Sequence, residues 1–183
     1  MQNPPFIEWQ LALEGAKLAS RNAQRLADDA LQLHKMQSLT AFSISILAWE
    51  ETNKAGLLLK AYVEKKDISK TQWLNKFNNH QRKLDAYPEY VEILYPNIAG
   101  RPAIQAAEAN ARLTGIGREL DLQKQHFGFY TDFGERTRHW HSPTNLNRQN
   151  IEYAEWLANH YATISKLTCI QMDKRMAQLE AQC

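Results

Sequence analysis

The sequence predicts an all-α bundle of about five helices, with one long loop before the last. Three observations carry that prediction. Apolar residues recur at three- and four-residue spacing over most of the chain. Glycine and proline are scarce, seven and six in 183 residues, and no proline falls between Gln37 and Ala86. A hydrophobic content of 44% suits a core-forming helical protein better than a disordered or β-rich one. The length fits a single domain over residues 1–183, and composition gives no sign of a second.

Each element can be justified in turn. Pro4-Pro5 can open a first helix to about Lys35, with Trp9, Ala12, Leu13, Ala16, Ala19, Ala23, Leu26, Ala30 and Leu33 at helical spacing. Ser38 or Thr40 can cap a second helix that reaches about Lys66. Asp67 or Ser69 can cap a third, whose stripe holds Trp73, Phe77, His80, Leu84 and Tyr87, and Pro88 kinks or ends it. Tyr95 to Pro102 is a clear break. An alanine-rich fourth helix is expected over about Ala103–Lys124, less firmly where Gly115 and Gly117 fall. Gln125 to Asn147, with Gly128, Gly134 and Pro143, has no period and reads as the long loop. A last helix from about Asn147 to Leu179 turns Ile151, Ala154, Leu157, Tyr161, Ile164, Leu167 and Met172 inward.

Composition also excludes some functions. A formal charge of +2 is too small for nucleic-acid binding by bulk attraction, so any such contact must be local. Two cysteines, Cys169 and Cys183, make no disulfide framework and point to a reducing, cytoplasmic setting. The first residues have no signal-peptide pattern, and no apolar run is long enough to span a membrane, so no membrane partner is expected.

The second helix carries an anomaly. Ile44, Leu47, Ala55, Leu58 and Tyr62 fall on one face at about 100° per residue. Glu51 lies inside that arc, Lys54 beside it and Glu50 near its edge with Leu57. Ionised groups on a core-facing stripe cost several kcal/mol each, about 3–5, unless they are paired and hydrogen-bonded. Lys54 follows Glu50 by four residues and Glu51 by three, so both carboxylates can reach its ammonium. A structural ion lock and a functional site remain evenly balanced on this evidence.

His80 and Lys83 lie one turn apart on the third helix. A lone histidine on an apolar stripe is more often a satisfied core residue than a catalyst. If the two helices are antiparallel neighbours, His80 can meet the carboxylates of the second. A carboxylate there would orient the imidazole and favour its protonated form, as a general acid or base requires. A di-metal centre of the ferritin type needs Glu-x-x-His pairs on two helices, which this sequence lacks, and it has no CxxC or HExxH. No metal or other cofactor is expected. In the loop, Tyr130, Asp132, Arg136, Arg138, His139 and His141 gather, and Arg136 with His141 makes an Arg-x4-His pattern. Such a match arises about once by chance in a chain of this composition. A guanidinium can clamp a phosphate and a histidine can move the protons of phosphodiester cleavage. The bland alternative is a solvated basic loop.

Three blocks together resemble a known family. Glu50-Glu51-x-x-Lys54-Ala55, then His80-x-x-Lys83, then Gly128-Phe129-Tyr130-Thr131-Asp132-Phe133 followed by Pro143, look like the AbiV-type abortive-infection family of the HEPN superfamily. The resemblance spans roughly Ala12 to Tyr161. It implies a HEPN-like antiparallel helical bundle, a homodimer, and a role in bacterial defence against phage. Many HEPN proteins are metal-independent endoribonucleases with an Arg-x(4–6)-His motif near the last helix. In them the 2′-hydroxyl attacks the adjacent phosphate, histidine handles protons and arginine stabilises charge. By that resemblance Arg136, His141 and His80 are the candidate catalytic residues. Glu50, Glu51, Lys54 and Lys83 support them, and Tyr130, Asp132 and Arg138 belong to the loop. The implied partners are RNA (tRNA, rRNA or mRNA) and a phage-encoded activator. The alternative is a non-enzymatic binding module that docks on RNA, a ribosome or a phage protein, with the charged cluster purely structural. A nucleotide-binding domain, with Lys54, Lys83 and the loop arginines gathering phosphates, is a third and weaker class.

Overall fold

Helix α1 (Trp9–Lys35) buries a row of small side chains, Ala12, Ala16, Ala19, Ala23, Ala27 and Ala30, at three- and four-residue spacing. In this computed structural model, which describes residues 5–95, 132–134, 139–141 and 148–182, that row lets two other long helices lie close against α1. They are α2 (Thr40–Val63) and the last helix, labelled α6 below (Arg148–Glu180). For Gln81, Asn150 and the strand residues only the backbone is described.

Contacts fix the directions. Gly15 meets Leu58, and Asn22 meets Glu51, so α1 and α2 are antiparallel. Lys17 pairs with Glu180, Ser20 with Asp173 and Asp28 with Lys166, so α1 and α6 are antiparallel too. It follows that α2 and α6 run the same way, as Trp49 against Tyr161 and Thr52 against Cys169 confirm. The bundle is all-α, as expected. Among the described residues no helix is long and apolar enough to cross a membrane.

Helix α2 is the centre. It buries side chains all around its circumference, among them Phe42, Ile46, Trp49, Glu50, Thr52, Asn53, Leu57 and Leu59. Trp49 is fully buried, packs on Tyr87 and Tyr161, and donates its indole N–H to the carbonyl of Leu84 at 3.3 Å. Burial of a side chain this large contributes about 3 kcal/mol.

Several boundaries differ from the sequence reading. Pro5 does not open α1, because Ile7 is held in a backbone bridge to Ile68 and the helix begins at Trp9, whose N–H is capped by Asp67 Oδ1 at 2.9 Å. Neither Ser38 nor Thr40 caps α2; its N-cap is Leu39, with no side-chain bond. At the far ends of α1 and α2, Gln37 and Lys65 take positive φ, 56° and 53°, to close the same helix-terminating turn.

The predicted third helix is not continuous. Ser69 does cap it, in a reciprocal capping box with Gln72, but the helix α3 (Lys70–Gln72) passes at once into a π-helical turn over Trp73–Phe77. Asn79 then breaks the chain and starts α4 (His80–Leu84), its Oδ1 accepting from the Arg82 N–H at 3.1 Å. Pro88 sits in the first turn of α5 (Tyr87–Leu94), so it starts a helix where the sequence reading had it end one. The physical reason is asparagine chemistry: a short amide side chain that competes for backbone N–H groups ends one helix and caps the next.

The alanine-rich fourth helix expected at Ala103–Lys124 lies outside the described residues. The segment read as a structureless loop contains a short antiparallel ribbon, β1 (Asp132–Gly134) with β2 (His139–His141), in which Asp132 pairs with His141 and Phe133 with Trp140. Helix α6 keeps its predicted limits within a residue. Leu167, however, expected inward, is 58% exposed.

Candidate functional site

The charged residues of α2 separate into two groups. Glu50 points away from α1 and is buried, its side chain 2% exposed. One of its oxygens, Oε2, meets His80 Nδ1 at 2.5 Å and Lys83 Nζ at 3.2 Å. Lys83 is buried as well, with 8% of its side chain exposed, whereas the His80 side chain is 57% exposed. Glu51 turns toward α1. It takes Lys54 Nζ at 3.1 and 3.3 Å and the amide of Asn22 at 3.2 Å, and this group is half-buried.

The sequence therefore brings together Glu50, His80 and Lys83, and places Glu51 with Lys54 elsewhere. Two expectations need correction. Lys54 bridges Glu51, while the cation beside Glu50 is Lys83 from α4. The deeply buried carboxylate is Glu50, not Glu51. Periodicity misplaced them because α2 is apolar on nearly every side, so a single stripe selects only one of its packed faces. The expected meeting of His80 with a carboxylate of the second helix does occur, and α4 makes it. Its helical turn places His80 and Lys83 at i and i+3, on one face over Glu50.

This geometry has a definite chemistry. An ionised carboxylate only accepts hydrogen bonds, so a neutral His80 must give its Nδ1–H to Glu50, and that fixes the other ring nitrogen, Nε2, as the one with a free lone pair. The ring is held from the buried side and open on the other. Lys83 balances the charge of Glu50 inside the protein, where an unpaired carboxylate would be costly. The arrangement can take up or deliver a proton at the surface from a fixed orientation. Among the described residues no group of three or more His, Cys, Asp or Glu is placed to hold a metal ion.

The floor beneath α4 and α5 is equally ordered. Tyr90 is buried on α2, donating its hydroxyl to Asn53 Oδ1 at 2.7 Å, and its ring lies against Gly56 so closely that a Cβ there would come within 2.4 Å. Burial pushes the Tyr90 hydroxyl well above its usual range and that of Tyr87 up to about 12, so both stay neutral donors. Cys169, buried against Thr52, has its thiol pushed up by burial too, which keeps it an unreactive core residue.

Of the loop residues, Tyr130, Arg136 and Arg138 lie outside the described residues. Asp132 and His141 are described as backbone only, opposite one another in the β1–β2 ribbon. Sequence reasoning missed Asn22 as a partner of Glu51, and it missed Trp49 and Asn53 as the residues that seat α4 and α5. The polar residues Thr52 and Asn53 inside an apolar run were the available signal.

A family model described as AbiV, of the HEPN group, matches residues 11–160. No curated protein and no solved structure matches the chain. The matched span takes in α1 to α5, the ribbon and the start of α6, and with them the Glu50, His80 and Lys83 cluster.

Proposed function

The chain belongs to the AbiV family of HEPN proteins, and from that membership we propose that it is a phage-defence effector that arrests growth or translation by metal-independent cleavage of RNA. The observation that carries the catalytic part is the exposed imidazole of His80 held through Nδ1 by the buried carboxylate of Glu50.

In this reading the 2′-hydroxyl of a bound RNA attacks the adjacent phosphorus. A P–O2′ bond forms, the P–O5′ bond breaks, and the products carry a 2′,3′-cyclic phosphate and a 5′-hydroxyl. One proton leaves O2′ and one must reach O5′. His80 Nε2 is one of the two proton-handling groups, with Glu50 stabilising the charge that the imidazole takes up. His141 is the other, and Arg136 offsets the phosphate charge. Lys83 acts through Glu50 as a positioning residue, and Glu51 with Lys54 locks α2 to α1. The proposed partners are a cellular RNA and a phage-encoded activator.

A second reading is supported by the burial of Glu50 and Lys83: the cluster is purely structural, and the protein acts by docking on RNA, a ribosome or a phage protein. Induction in a bacterial host, with and without phage challenge, followed by sequencing of RNA ends, separates the two. Cleavage predicts new 5′-hydroxyl ends that disappear in His80→Ala and in His141→Ala while both variants keep the wild-type thermal midpoint. Arrest without new ends favours docking. Normal growth under all conditions overturns the effector reading itself.

A further inference from the structure

Helix α6 has two faces. The inner one, with Ala154, Ala158, Tyr161, Ser165, Cys169, Met172 and Met176, is buried against α1 and α2. The outer one should be polar in a helix that has only one packed side. It is not. Tyr153, Trp156, His160, Thr163, Leu167 and Ile170 follow one another at alternating spacings of three and four, the 3.5-residue period of a helix that packs along another helix. Tyr153 is 41% exposed, Trp156 52%, Leu167 58% and Ile170 37%. The Tyr153, Trp156 and His160 rings stack in a column, with centroids 6.2 and 5.2 Å apart, and a groove of about 310 Å³ runs beside Trp156, His160, Thr163 and Leu167.

We propose that this outer face is a two-fold, antiparallel contact with a second copy of the chain. The pairing of the six residues supports this orientation. When two such stripes run in opposite directions and Tyr153 meets Ile170 of the other copy, Trp156 meets Leu167 and His160 meets Thr163. Apolar then faces apolar on both sides of a central polar pair. Charge agrees: Glu152 and Lys174 stand at opposite ends of the stripe, so antiparallel copies bring each glutamate near the other's lysine, whereas parallel copies set like charges together. Nucleic acid suits the face poorly. Glu152 and Glu155 flank the ring column, and Arg148, at its end, is bound to Glu152. One stripe of this length buries on the order of 1,000 Å² in total, the lower bound of a specific interface, so a dimer with micromolar affinity is expected.

The inference does not rest on RNA cleavage, and its test is separate. Sedimentation velocity from about 1 to 100 µM should show a monomer–dimer equilibrium. Leu167→Glu should weaken it roughly tenfold or more with an unchanged thermal midpoint, since Leu167 is mostly exposed. Orientation is read by cross-linking in a Cys183→Ser background. Tyr153→Cys and Ile170→Cys should form an intermolecular disulfide when the two proteins are mixed and not when either is alone. In an antiparallel pair the two copies of either position stand about 25 Å apart along the axis. A monomer at every concentration, whether Trp156 is then shielded by the chain itself or quenched by added single-stranded RNA, overturns the inference. So does a dimer indifferent to Leu167→Glu, or self-cross-linking of either single variant. A monomer that still arrests growth overturns this inference alone.

Discussion

Glu50 and Glu51 are neighbours in the chain and live in different electrostatic worlds. Glu51 shares its surroundings with Asn22 and a half-exposed lysine, so water contributes to its solvation. Glu50 has a buried lysine and a histidine in place of water. A step of one residue along a helix is a rotation of about 100°, enough to pass from the α1 side to the α4 side. The lesson is that the same residue type, in the same sequence block, serves as a lock on one side and as an anchor for a reactive side chain on the other.

The contrast can be broken most directly by truncation. Glu50→Ala leaves Lys83 buried without its carboxylate and should cost about 3 kcal/mol, a fall of roughly 6–12 °C in Tm for a chain of this length. Thermal unfolding by circular dichroism checks it; a loss as small as that of Glu51→Ala would erase the distinction between the two glutamates. Next in size is Gly56→Ala. Its Cβ would need Tyr90 to move, and α5 with it, for an expected cost of about 2 kcal/mol in chemical denaturation. It should also loosen the seating of α4, seen as faster amide exchange in His80–Leu84, while exchange near Asn22 and Glu51 stays unchanged.

Glu51→Ala should cost less than about 1 kcal/mol, because Lys54 can turn to solvent once released. A double-mutant cycle with Lys54→Met measures the pair, and a coupling above that value would place Glu51 on the same footing as Glu50. The smallest effect on stability is expected for His80→Ala, within about 0.5 kcal/mol, since its ring is mostly exposed. That variant sharpens the comparison in the other direction. It should leave the fold intact and remove the proton-handling group, so stability and growth arrest should separate at this residue alone.

Much of this was legible in the sequence, though unevenly. The alanine and leucine spacing of α1 and the limits of α6 followed from periodicity because each helix has a single buried face there. The meeting of a carboxylate with His80 followed from two charged blocks on neighbouring helices. Which glutamate it would be did not, because α2 is buried all around and offers periodicity no empty side. The break at Asn79 was written in the sequence as Asn78-Asn79, but the apolar stripe from Trp73 to Tyr87 obscured it. Leu167 failed for the opposite reason. Its spacing fits the inner face and the outer stripe nearly equally, and only packing against α1 and α2 decides.

Helix α4 is a single turn, and an isolated turn of helix has no stability of its own in water. It exists because Glu50, the carbonyl of Leu84 under Trp49, and the α5 that follows it hold it down. His80 therefore occupies its position only while that turn is docked. Whatever lifts α4 from α2 exposes a buried carboxylate and lysine and frees the imidazole at the same moment. Proton transfer at His80 is thus tied to a local docking equilibrium, and a partner that grips α4 in either state sets how much of the protein is competent.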